Sequence, residues 1–324
     1  MRSFSLPTLC FVTSLLSIEG CSPAERREDA GAAAATVAAT ASATVAAPAS
    51  ASASATVAAS ASATATASAS ASASATPAAP LPGRTDGCSE GMVRVEGGYC
   101  PGAAQHCLEH HKEYREHKSE RPVSERCLRY ASPSRCLSKK RQQLDFCIDR
   151  HEYPNKPGEL PWVLTSWTQA KEICERDGKR LCTEPEFNFA CEGPEMKPYV
   201  YGFTRDSTIC NIDKPYRYPN HSKVLLTYND CLGDPWCTGE LQRLDQRHRI
   251  GEATSCVSWA GVFDLNGNAN EWINLPAEKP PNRSGLKGGW WGPVRGRCRA
   301  LVTVHKEMDY GYEVGFRCCA DKRG

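Results

Sequence analysis

Gly178-Lys-Arg-Leu-Cys-Thr-Glu-Pro-Glu-Phe187 decides how the folded half of this chain is read. Its centre is a helix start. Thr183 and Glu186 form a capping box, Pro185 is tolerated in the first turn, and Phe187 and Cys191 lie one turn apart. Just upstream, Ser166 and Gln169 make a second box, with Trp167, Ala170 and Cys174 at helical spacing until Gly178 ends the run. Short extended pieces flank these helices. Gly91 to Tyr99 alternates and closes on a glycine turn, Phe146 to Tyr153 is a second strand candidate, and Pro161 to Thr165 is a connecting extended piece. From Gly193 to Arg249 no period persists and long loops are expected. Leu286 to Cys319 reads as strands joined by a loop. Two helices, short strands and long loops predict an α+β domain over 84–324.

The rest of the chain is different in kind. From Ala32 to Pro80 every residue is Ala, Ser, Thr, Val or Pro, too little to bury for the entropy of ordering to be offset. All seven Trp lie beyond it. Residues 22–83 are therefore expected to be a disordered tether, with a mean span of ~40 Å as a flexible coil. Residues 1–21 have the layout of a signal peptide: Arg2, an apolar run from Leu6 to Ile18, then Ile18-Glu19-Gly20-Cys21. Cys after a small residue resembles a lipobox, with Cys21 as the acylated residue, although Glu19 departs from the usual pattern. The alternative is a cleaved signal with a chance cysteine. An exported protein held at the bacterial cell envelope through a lipid anchor is the expectation.

Eighteen cysteines without zinc-ligand spacing fit a disulfide framework in an oxidising compartment. The net charge of +2 speaks against nucleic acid as a partner. Residues 106–141 are charged, with His106, Cys107, His110, His111 and His117 offering a metal site on one reading. The favoured reading is a solvated insertion stapled by Cys100, Cys107, Cys127 and Cys136.

Six motifs stand in an order that resembles the formylglycine-generating-enzyme (sulfatase-modifying factor) family. They are Met92-Val-Arg-Val-Glu-Gly-Gly98, Asp149-Arg-His-Glu-Tyr-Pro-Asn155, the single block running from Ser166 through Gly178 to Phe187, Gly267-Asn-Ala-Asn-Glu-Trp272, Lys287-Gly-Gly289 and Gly315-Phe-Arg-Cys318. The resemblance implies a loop-rich, C-type-lectin-like fold and the disulfides Cys174–Cys318 and Cys191–Cys298; Cys182 and Cys319 sit in the same two elements as partners of those pairs and are expected to bond too. It also implies a structural calcium ion on Asp264, Gly267, Ala269 and Glu271. Two carboxylates flanking an Asn-Gly turn suit that ion on their own chemistry; the alternative is a polar turn that meets only water. Asn211-Ile212 matches the start of a second family calcium site whose remainder does not align.

The family's oxidase chemistry uses copper and two cysteines in the segment after the Gly-Gly turn. Here that segment is Trp290-Trp-Gly-Pro-Val294, followed by Arg295-Gly-Arg-Cys298. No thiolate for Cu(I) stands in it, so neither copper nor formylglycine generation is expected. The principal reading is a module that binds a peptide, glycan or envelope protein on a pocket of Trp290, Trp291, Arg295 and Arg297. Alternatives are a divergent enzyme using His305 with Glu307 and Asp309 near it, and an envelope-interaction block without a pocket.

Overall fold

A computed structural model describes residues 85–116, 125–220 and 228–322. The signal segment, Cys21, the Ala/Ser/Thr tract and His117 lie outside the described residues. Strand β1, Met92–Tyr99, pairs antiparallel with β6, Gln142–Asp149, so that Val93 faces Ile148 and Val95 faces Phe146. β11, Cys318–Asp321, continues the sheet beside β6, and β7, Arg180–Leu181, closes it in the order β1-β6-β11-β7. A second sheet has the order β10-β8-β9, from Val314–Phe316, Asn270–Asn274 and Ser284–Lys287. β6 starts four residues earlier than the sequence suggests, because pairing with β1 extends it through the polar Gln142 to Asp145.

Both capped helices are present. α2, Trp167–Arg176, carries the full capping box of Ser166 and Gln169. α3, Glu184–Glu192, begins where the Glu186 carboxylate accepts from the Thr183 amide and hydroxyl, each at 2.8 Å. Phe187, Phe189 and Ala190 from α3 meet Val93, Val95, Phe146, Ile148 and Ile273 in the largest core cluster. Burying one such side chain is worth roughly 1.5–3 kcal/mol. Trp167, Ala170 and Cys174 pack with Trp272, Val314 and Phe316 in another. Between the helices, two half-buried cations meet buried carboxylates: Lys179 Nζ lies 2.6 Å from Asp149 Oδ1, and Arg180 Nη2 lies 2.6 Å from Glu186 Oε1.

The stretch expected to be loops from Gly193 to Arg249 holds two short helices, α4 (Tyr228–Gly233) and α5 (Pro235–Leu244). Asp234 caps α5 by accepting from Cys237 N at 2.6 Å, with Pro235 in its first turn. That start signal is legible but short, and Leu241 and Leu244 are the main residues it buries. The charged insertion is two small ladders. β2, Ala103–Ala104, pairs with β5, Arg135–Cys136, and β3, Cys107–His110, pairs with β4, Cys127–Tyr130. α1, Lys112–Glu116, follows β3. Cys100–Cys136 and Cys107–Cys127 staple them.

Sixteen cysteines form eight disulfides. They include Cys174–Cys318 and Cys191–Cys298, the two pairs implied by the resemblance, and the expected Cys182–Cys319. Adjacent Cys318 and Cys319 reach different partners because neighbouring residues of a strand point to opposite faces. Such density belongs to an oxidising compartment. Among the described residues no helix is long and apolar enough to cross a membrane.

Candidate functional site

The turn from Asp264 to Trp272 is folded by backbone that side chains rarely favour. Asp264, Gly267 and Asn268 have φ of 56°, 84° and 59°. Gly267 is required, because a Cβ there would overlap the Asn211 carbonyl. Asn211 braces the turn further: its Nδ2 donates to Asn268 Oδ1 at 3.0 Å, and its carbonyl accepts from Asn268 N at 2.9 Å. Asp264 and Glu271 are both buried. Glu152, from the Asp149 to Asn155 signature, joins them, accepting from Asn268 Nδ2 at 2.7 Å and from Ala269 N at 3.0 Å. Arg317 of the Gly-Phe-Arg-Cys motif donates to both oxygens of Glu271 and to the Phe263 carbonyl.

Three buried carboxylates therefore face one guanidinium, and Asp264 Oδ1 has no hydrogen-bond partner. Burial pushes the Asp264 carboxyl up to about 7 against the pull of Arg317. Burial raises Glu152 and Glu271 too, with Asp264 and Glu271 adding to the shift at Glu152. An orphaned carboxylate oxygen amid surplus hard-oxygen charge suits calcium, with Asp264 as the open donor, since both oxygens of Glu271 already accept from Arg317. Among the described residues, the one group of three metal-ligating side chains with donor atoms within 4.8 Å is Cys107, His110 and Glu125. Cys107 is spent in its disulfide, which removes the thiolate.

A separate cavity of about 160 Å³ opens beside the Gly-Gly turn. Gly289 has φ of 78°, and a Cβ on it would lie 2.7 Å from Gly296 Cα. This close approach places Trp290 and Arg295 on the same cavity. Arg205, paired with Asp213, holds the far side of the loop by donating to the carbonyls of Val294 at 2.8 Å and Arg295 at 3.2 Å. Trp290 is 8% exposed and meets Tyr216 and Tyr312 edge to face. His305 and Glu313 complete the polar lining. Lys287 lends the wall its position in β9, but its amine lies 3.8 Å from Glu184 Oε1 and over the Phe187 ring, neither of which lines the cavity.

The pocket expected from the sequence is thus partly assembled. Trp290, Arg295 and His305 share one cavity. Trp291 does not: it is fully buried among Val163, Leu164, Leu241 and Tyr312, a core residue rather than a pocket floor. Arg297 lies off the cavity, with Nη1 3.3 Å from Gln105 Oε1. Glu307 does not support His305 either, since its carboxylate is held by Arg283 at 2.7 Å. Only Asp309 approaches the imidazole, at 3.9 Å. Glu152, Glu313 and Arg317 were not singled out, although Glu152 and Arg317 stand inside motifs quoted for other reasons.

The model of the sulfatase-modifying factor enzyme 1-like domain matches residues 90–322. Among solved structures, the chain is similar to CarF, with 14% identity over 71% of this chain and 97% of that one, at a TM-score of 0.42. PvdO from Pseudomonas aeruginosa matches at 13% identity over 71% and 94%, TM-score 0.39. Variable protein 1 of Treponema denticola matches at 14% over 56% and 87%, TM-score 0.36.

Proposed function

The chain belongs to the sulfatase-modifying factor enzyme 1-like family, and from that premise we propose that it is a ligand-binding member that does not generate formylglycine. One observation carries this reading. All sixteen described cysteines are locked in disulfides, and the cavity beside the Gly-Gly turn is lined by Trp290, Arg295, His305 and Glu313 instead of thiols. Cu(I) has no soft donor there. A rigid indole beside a guanidinium suits recognition of a small ligand on a peptide, glycan or envelope protein.

In this reading the protein is exported and tethered through Cys21, and residues 22–83 hold the domain away from the membrane surface. Asp264, Glu271 and the carbonyls of Gly267 and Ala269 would hold a structural calcium ion. When bound, the ion supplies the positive charge that the three buried carboxylates lack. The turn's own residues position Trp272, whose Nε1 donates to Thr165 O at 2.7 Å in the core.

A divergent enzyme of the family is the second reading, favoured by Glu313, whose carboxyl burial pushes up to about 7 within the same cavity as His305. The test of the main reading is to incubate the copper-treated full chain with a sulfatase-type Cys-x-Pro-x-Arg peptide under oxygen. The peptide thiol should persist. Its loss with the mass change of an aldehyde would overturn the reading.

A further inference from the structure

Two charged side chains on the cavity leave polar atoms without a partner. Glu313 Oε2 is sealed from solvent and accepts no hydrogen bond. The Arg295 guanidinium makes no hydrogen bond or ion pair among the described residues, and the two do not pair with each other. An unpaired buried carboxylate is costly unless something brings it a donor. Trp290, Val294, Leu286, Ala300 and Val302 supply apolar wall, with Asn270, Lys287 and His305 as the other polar residues of the lining.

We propose that this cavity is a receptor for a small zwitterion, a free α-amino acid, with its ammonium on Glu313 and its carboxylate on Arg295. The proposal rests on the ligand-binding reading above and names the ligand class of that same site. Other chemistries satisfy half of the lining. A sugar hydroxyl would donate to Glu313 but bring no anion to Arg295. A phosphate would meet Arg295 and be repelled by Glu313. An apolar group would leave both charges stranded. Size agrees: about 160 Å³ is well below the roughly 300–1,000 Å³ of sites for drug-sized ligands. Trp290 and Val294 then face the amino acid's side chain.

The titration of Glu313 adds a signature. Burial holds its carboxyl up to about 7, so an ammonium ligand must select the ionised form. Arg295, His305 and Lys287 line the same cavity, and Tyr312 is adjacent in the chain.

Calorimetric titration of the full chain with L-serine tests the proposal, with n-propylamine and propionate as the two half-ligands. L-serine should bind at least about tenfold more tightly than either half-ligand, since each lacks one charge contact. Glu313→Gln and Arg295→Gln should each weaken L-serine by about tenfold or more, at unchanged melting temperature. Affinity should rise by about tenfold from pH 6 to pH 8, as expected for one group titrating near 7. L-serine binding no tighter than the half-ligands, or unchanged in both variants, overturns the proposal without relying on either variant alone. Should L-serine fail while an oligosaccharide binds in a Trp290-dependent way, the zwitterion falls and the binding module stands. Oxidation of the Cys-x-Pro-x-Arg thiol removes both.

Discussion

Arg317 holds Glu271 in a fully buried ion pair with two bonds, Nε to Oε2 at 2.5 Å and Nη2 to Oε1 at 2.6 Å, joining β8 to the link between β10 and β11. The same guanidinium reaches the Phe263 carbonyl at 2.9 Å, so it ties the acidic turn to the last strands. Removing one partner leaves a bare buried charge. Arg317→Met should therefore destabilise the domain by about 3–5 kcal/mol in denaturant unfolding. The double variant Arg317→Met, Glu271→Leu should be less destabilised than the single one, because neither charge is left unpaired. A single variant within about 1 kcal/mol of wild type would show that the pair is not sealed from water.

Asp264 separates calcium from the ion pair, because Arg317 does not bond to it and its Oδ1 has no partner. Chelation should lower the melting temperature of the wild-type chain, and calcium should restore it by mass action. Asp264→Asn should melt at one temperature with or without calcium. Wild-type melting that ignores both chelator and added calcium would remove the site.

Lys287 is a buried amine without a hydrogen-bond partner, and burial lowers its pKa to about 7. Its folded-state pKa lies below the unfolded value of 10.5. Stability from this group is therefore complete above that value and declines as pH falls from there toward 7. Lys287→Met should flatten that slope and raise stability at pH 7 by on the order of 1–4 kcal/mol, as seen when buried charges give way to apolar groups. Equal pH slopes in the two proteins between pH 7 and 10 would contradict the assignment.

Cys182–Cys319 spans 137 residues of chain and joins the residue that follows β7 to β11. In the chain-entropy account, a loop of that length is worth about 5 kcal/mol. The double variant Cys182→Ala, Cys319→Ala should lose most of this in denaturant unfolding, while Cys174–Cys318 still forms in non-reduced peptide mapping. Scrambled pairing of Cys174 in that variant would mean that the strand does not hold Cys318 in register by itself.

What the sequence determined alone are the features written in short-range chemistry. Capping boxes at Ser166 and Thr183 place α2 and α3, because an N-terminus is satisfied by side chains within four residues. The absence of thiols between Gly289 and Cys298 needs no structure to be read. The order of six motifs was enough to indicate the family frame, and with it the pairs Cys174–Cys318 and Cys191–Cys298. What only the tertiary structure decided depends on residues far apart in the chain. Trp290 and Trp291 are adjacent and chemically identical and share one buried cluster, yet Trp290 reaches the cavity and Trp291 does not. Glu307 stands two residues from His305 but belongs to Arg283. Glu152 and Glu313 look like ordinary surface acids in the sequence. Folding removes the water from their carboxylates, and a carboxylate's chemistry follows from which donors remain once water has gone.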